Sequence, residues 1–335
     1  MRKQGDTYLL DDGPVYLLSH GCCVGRKERE GPLAGRFDQA GQDNWFGETT
    51  WEKSECRMVQ LACRTAIKKA GLHPHQIGCA LGGDLLNQCV STSFAMRTLG
   101  TPFLGLYGAR STMAESMLLG AVLVGAGLER TVLCSASSHF CSAERQYRYP
   151  LEYGGQRTPT AQWTATAAGA VILTDAPTKV AVTALQPGRI FDPGVKDAAN
   201  MGAAMAQSAF ETIHRFLRDT GTGPEDYDLI VTGDLSAVGK GIVLELFRDE
   251  GIELRSVYDD CGLMLYDGTQ DVHAGGSGCG CSAAVLCAYL LPALEQGLLK
   301  KVLFCGTGAL LSPLTTNQGE TIPGICHAVL LEAVP

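Results

Sequence analysis

Apolar positions in this chain fall into two alternating patterns. Short continuous runs, such as those inside "DLIVTGDLSA", "RTVLCSAS", "KKVLFCGTG", "GAVILTDAP" and "HAVLLEAVP", read as buried strands. Between them lie longer stretches that read as helices, the clearest over residues 52 onward and 202 onward. The stretch from Met117 to Leu128 is apolar and interrupted by glycine. It predicts a helix buried on all sides, too short to span a bilayer. Strands alternating with helices predict parallel sheet covered by helices, an α/β fold.

The pattern occurs twice. Residues 52–90 give a helix, a turn and a strand ending in "GGDLLNQ", and residues 202–236 repeat this up to "DLIVTGDLSA". Asp84 and Asp234 correspond at a spacing of 150, each just past a strand end, where α/β sheets place ligand-facing groups. "GAVLVGAGLERTVLCSAS" matches "LLPALEQGLLKKVLFCGTG", with Val132 and Val302 corresponding at 170. "GAVILTDAP" matches "HAVLLEAVP", with Val171 and Val329 at 158. The change in spacing locates the insertions. One in the second half lies between its first strand and its elbow. One in the first half lies within residues 139–168, a polar, aromatic and Arg-rich segment of the kind that more often carries function than decoration. The expected architecture is a five-layer αβαβα sandwich built from duplicated halves, residues 1–176 and 177–335.

"GLYGARSTMAES" at 105–116 is a strand turning sharply into a helix. Such an elbow usually exposes a nucleophile above a helix N-terminus, but the exposed position here is Arg110. At the offset of 170, the second-half elbow is Gly278-Cys279-Gly280-Cys281, with Gly280 opposite Arg110.

Composition narrows the function. The net charge is −8, against a nucleic-acid surface. Fourteen cysteines include no CxxC pair, and most lie in apolar runs, as reduced buried thiols do; neither disulfides nor a metal site is expected. The N-terminal "MRKQGDTYLLDDGPVYLL" lacks an apolar signal core, so any membrane association is expected to be peripheral.

The duplicated layout resembles the thiolase and β-ketoacyl-ACP synthase superfamily. More closely, the chain resembles the stage V sporulation protein AD family, through "GPLAGRFD", "GGDLLNQ", "SSHFCSAERQYRYPLEYGGQ", "YDLIVTGDLSAVG", "DDCGLM", "AGGSGCGCSA", "GTGALLSP" and "GETIPGICHAV". The resemblance implies sporulation and non-catalytic binding of dipicolinic acid, with calcium as a possible companion of the ligand. It also implies membrane-channel partners, a peripheral place at the forespore or spore inner membrane, and a homodimer. Departures accompany it. Relatives read Gly-Ala-Cys-Ser-Thr at the elbow, where this chain has Gly108-Ala109-Arg110-Ser111-Thr112. Condensing enzymes carry His where Thr232-Gly233-Asp234 stands, and an Asn loop where Gly278–Ser282 stands.

On this footing the expected ligand-binding residues are Arg110, Ser111, Asp84, His139, Arg145, Arg148 and Asp234. A guanidinium offers a planar fork suited to a carboxylate, and dipicolinate has two. The competing reading pairs Arg110 with an internal acid such as Glu115 or Asp84. Asp84 and Asp234 are candidates for calcium or for helix capping. His139, Arg145 and Arg148, with Tyr147, Tyr149 and Tyr153, suit a flat anionic aromatic or a dimer contact. Cys279 and Cys281 with His273, or Ser111, are the alternative nucleophiles of an acyltransferase reading, set against close backbone packing in the Gly-rich window.

Overall fold

The computed structural model describes residues 1–334 except 12, 14 and 148–155. In the first half the main elements are β1 (Val15–Val24), α1 (Trp51–Lys69), β2 (Cys79–Gly83), α2 (Val90–Arg97), β3 (Phe103–Gly105), α3 (Thr112–Gly125), β4 (Thr131–Ser138), α4 (Phe140–Tyr147) and β5 (Ala167–Thr174). The second half continues with β6 (Val180–Gln186), α5 (Met201–Thr220), β7 (Leu229–Thr232), α6 (Ser236–Asp249), β8 (Tyr258–Asp260), α7 (Cys279–Val285), β9 (Lys301–Ala309) and β10 (Gly324–Ala333). α7 runs on through one π-helical segment, Leu286–Leu290, into Leu291–Glu295.

The strands run β8-β7-β9-β10-β6-β1-β5-β4-β2-β3. Read outward from the β6–β1 junction, each half has the same order, so β1 matches β6, β5 matches β10, β4 matches β9, β2 matches β7 and β3 matches β8. The halves touch through a short antiparallel register, Tyr16 opposite Ala181 and Val15 opposite Val182. Within each half the outer pairs are parallel. The last strand returns antiparallel, Thr174–Ala167 against Thr131–Ser138 and Glu332–Gly324 against Lys301–Ala309.

Helix α1 begins at Thr50, whose hydroxyl accepts the Lys53 amide, and buries Met58, Val59, Ala62, Cys63, Ala66 and Ile67, a one-sided stripe laid on β1 and β5. α5 covers β9 and β10 in the same way and stops at the left-handed Gly221. α3 is buried on most of its circumference because strands of both halves enclose it. α7 and its continuation reach β1, β4 and β5 on one side and β6 and β10 on the other. The result is the expected five-layer sandwich, with its largest core between the strands of the two halves, around Met113, Met117, Ala283, Val171, Phe304 and Val329.

Two local features aim the fold at one place. Backbones approach closely at the elbows: a side chain at Gly308 of β9 would collide with the Gly108 carbonyl at 2.6 Å, and one at Gly278 with the Ser138 hydroxyl at 2.6 Å. The inserted segment of the first half also crosses over. Trp163-Thr164 pairs in parallel with Gly276-Ser277, which carries Ser277 under the first elbow.

Candidate functional site

The elbow is built from its own hydrogen bonds. Ala109 is held in the left-handed region at φ 50, an uncommon conformation for a residue with a side chain, and it throws Arg110 outward. The Ser111 hydroxyl donates to the Gly108 carbonyl at 2.7 Å and the Thr112 hydroxyl to the Ala109 carbonyl at 2.8 Å. Ser111 is therefore buried and engaged, and it does not face the cleft.

Arg110 is 8 % exposed. Its Nε donates to the Ser277 hydroxyl at 2.8 Å and lies 3.1 Å from Asp234 Oδ2. Asp234 also accepts the Gly278 amide at 2.8 Å, the Ser277 hydroxyl at 3.3 Å and, on its other oxygen, the Thr307 hydroxyl at 2.9 Å. Burial raises its pKa, while Arg110, the Gly278 amide and the two hydroxyls pull it down. The internal partner of Arg110 is thus Asp234, neither Glu115 nor Asp84. Ser277, rather than Gly280, its opposite in the repeat, accepts the Arg110 hydrogen bond.

Only Nε is used in this way. Among the described residues neither terminal nitrogen of Arg110 has a hydrogen-bond partner, and the side chain lines a cleft with Leu85, Tyr107, Ala143, Glu144, Tyr147 and Thr164. The cleft is narrow, with little more than a water molecule's room along its centre. The Tyr107 and Tyr147 hydroxyls touch one another and both lie within hydrogen-bond reach of the Leu85 carbonyl, Tyr147 the nearer. Glu144 accepts the Thr164 hydroxyl at 3.0 Å. Ala143, Glu144 and Tyr147 belong to α4, so the described part of the inserted segment does wall the cleft.

The other expected residues lie elsewhere. Asp84 accepts the Leu86 amide at 2.9 Å and both the amide and hydroxyl of Thr92 at 2.7 Å, tying β2 to α2. His139 is fully buried. Its Nε2 meets the Asn44 carbonyl at 2.9 Å, its Nδ1 accepts the Cys141 amide at 3.2 Å, and burial lowers its pKa to about 4, so it is a neutral structural imidazole. Arg145 is half-exposed and ion-paired with Glu52. Arg148, Tyr149 and Tyr153 lie outside the described residues. Arg110 and Asp234 are thus the pair the fold brings together.

The alternative nucleophiles are poorly placed. Cys279 and Cys281 are fully buried, the Cys279 thiol donates to the Ser137 carbonyl at 2.9 Å, and burial pushes both thiols well above their usual range. His273 faces the Thr158 carbonyl and Asp271 instead. Among the described residues no three His, Cys, Asp or Glu side chains cluster as metal ligands would.

Sequence reading missed Glu55. It is fully buried on α1 and accepts hydroxyls from Ser91, Ser137 and Ser142 at 3.3, 2.9 and 3.0 Å, and burial beside Asp84 pushes it up to about 8. Glu28 was missed too; buried, it accepts the Thr166 amide of its own half and the Tyr266 hydroxyl of the other. A glutamate on an amphipathic helix carries no sign of burial in its spacing. The only signal was the run of serines at the end of β4.

The same fold occurs in known proteins. The model of the stage V sporulation protein AD family matches residues 5–332. The stage V sporulation protein AD of Bacillus subtilis (strain 168) is 40 % identical over 332 residues, covering 99 % of this chain and 98 % of that one. Among solved structures, a single-residue variant of OleA from Xanthomonas campestris is similar with a TM-score of 0.62 at 13 % identity, covering 95 % of this chain and 98 % of that one. The 3-oxoacyl-[acyl-carrier-protein] synthase III of Aquifex aeolicus VF5 is similar with a TM-score of 0.58 at 13 % identity, covering 95 % and 99 %. At such identities the likeness is one of fold, a thiolase-like one.

Proposed function

The chain belongs to the stage V sporulation protein AD family, and from that premise we propose that it binds dipicolinic acid without chemistry, for uptake into the developing spore. The observation that carries this reading is the half-used guanidinium. Arg110 is held by Asp234 and Ser277 through Nε, and its side chain lines the cleft. A pre-oriented fork meets one carboxylate with two parallel charged hydrogen bonds and little entropy left to lose. The tyrosines flanking it suit a flat aromatic ring. Entry requires Tyr107 and Tyr147 to part, because their joined hydroxyls narrow the cleft.

Calcium enters this proposal as the ligand's own chelated cation, not as an ion in a protein cage. The protein acts peripherally at the forespore or spore inner membrane beside membrane-embedded partners, and as a homodimer. No helix among the described residues is long and apolar enough to cross a membrane, which fits a peripheral role. Acyl transfer draws no support from the site: Arg has no lone pair to offer, and the nearby thiols are buried with raised pKa values.

Calorimetric titration of dipicolinate, with and without calcium, beside phthalate and acetyl-CoA, tests the reading. Saturable heat with dipicolinate is expected and none with acetyl-CoA. Arg110→Met should weaken dipicolinate roughly 10- to 100-fold, the loss of a charged hydrogen-bonded pair. Absence of dipicolinate binding, or unchanged affinity in Arg110→Met, overturns it.

A further inference from the structure

Helices α1 and α2 do not close on each other as their counterparts do. At the spacing of 150 that relates Asp84 to Asp234, Gln60 stands where Phe210 does and Arg97 where Phe247 does. In the second half those two phenylalanines meet edge-on, ring centres 4.9 Å apart, and both are buried between α5 and α6. In the first half the missing rings leave an open groove of about 400 Å³ between α1 and α2. That is the size of a small-molecule site.

The groove carries uncompensated positive charge. Lys53 and Arg57 from α1 and Arg97 from α2 line it, and among the described residues none of the three is in an ion pair. Arg97 lies over the Phe94 ring at 4.7 Å, a contact that uses none of its N–H donors. Phe94 lines the groove too and is 51 % exposed. Two acids share this lining, Glu48 and Glu52, and Glu52 is taken by Arg145 of α4. Glu55, the next acid on α1, turns inward to the Ser137 and Ser142 hydroxyls. With Arg145 included, the cations outnumber the carboxylates here, on a chain whose net charge is −8. Guanidinium donors pair with carboxylates, and an exposed ring stacks on another ring. The Arg110 cleft is a separate place that shares no lining residue with the groove. Helix α4 serves both, with Tyr147 on the cleft and Arg145 at the groove.

We propose that the α1–α2 groove is a second binding site, for a small aromatic acid with at least two negative charges, in which Arg57 and Arg97 meet the acid groups and Phe94 meets the ring. The proposal rests on the dipicolinate reading above for its choice of probe. Its site is independent of Arg110.

Calorimetric titration of dipicolinate into the whole protein tests it. The parent should take up about two molecules per chain. Arg57→Gln/Arg97→Gln should take up about one, with the remaining affinity within about twofold and the melting temperature unchanged, since neither side chain holds an ion pair. Gln60→Phe/Arg97→Phe is a second variant should the first melt early. It copies the ring pair of the other half, fills the groove and should also lose one molecule. Two molecules bound by both variants overturn the groove. A parent that binds one molecule, lost in Arg110→Met and kept in both groove variants, overturns the groove and leaves the cleft reading standing. One molecule lost in the groove variants and kept in Arg110→Met supports the groove and overturns the cleft. No binding to the parent overturns both.

Discussion

Asp84 and Asp234 end equivalent strands of the two halves, and the molecule uses them differently. Asp84 stays within its own half, gathering the Leu86 and Thr92 donors that seat α2. Asp234 reaches across to the other half's elbow, where it holds Arg110 and the Ser277 turn. The difference follows from what stands nearby. Beside Asp84 lies a second buried acid, Glu55, so the pair favours protons and hydroxyl donors. Beside Asp234 stands a cation, which permits a buried charge pair. Duplication supplies the strand end twice, and the neighbours decide whether it becomes a cap or an anchor.

The contrast predicts unequal costs. Asp234→Ala strands the Arg110 guanidinium, nine-tenths buried, without its counter-ion and should destabilise by about 3–5 kcal/mol in denaturant unfolding. Because the cleft loses its positioned fork, dipicolinate affinity should fall with it. A loss under about 1 kcal/mol would mean that Asp234 does not hold Arg110.

Next comes pH. The folded-state pKa of Glu55 stands near 8, above its unfolded value, so the folded state keeps a proton the unfolded chain releases. This contribution is fully present below about pH 4.5 and is lost as pH rises towards 8. Roughly 3–4 kcal/mol of stability should disappear between about pH 5 and 8 from this group. Glu55→Gln, which is neutral throughout, should flatten that part of the profile. An unchanged profile would show that the acid pair does not share its protons as the geometry requires.

The smallest effect belongs to Asp84→Asn, which keeps the shape and one acceptor but weakens three hydrogen bonds, costing about 1–2 kcal/mol. Dipicolinate titration should shift less than twofold, since Asp84 does not line the cleft. An affinity loss as large as that of Arg110→Met would erase the distinction between the two aspartates.

The repeat was legible because buried strands and amphipathic helices write their burial into spacing. The match of "RTVLCSAS" with "KKVLFCGTG" predicted β4 and β9 and, through them, the placement of both elbows. Arg110 was legible as the odd residue on an elbow, and the inserted segment as a cleft wall, since Ala143, Glu144 and Tyr147 line it. His139, by contrast, read as a ligand residue and proved to be a neutral core imidazole, because spacing does not tell a pocket from the packing behind it.

What the chain determined by itself was the order of its elements, their duplication, and which residue occupies each strand end and turn, because backbone periodicity is a local property. Tertiary structure alone decided which charges meet. Ser277 is 167 residues from Arg110, and Ser137 is 82 from Glu55. Whether a carboxylate is an ion pair, a proton store or a cap depends on solvent exclusion and on donors from distant segments, and both exist only once the layers close.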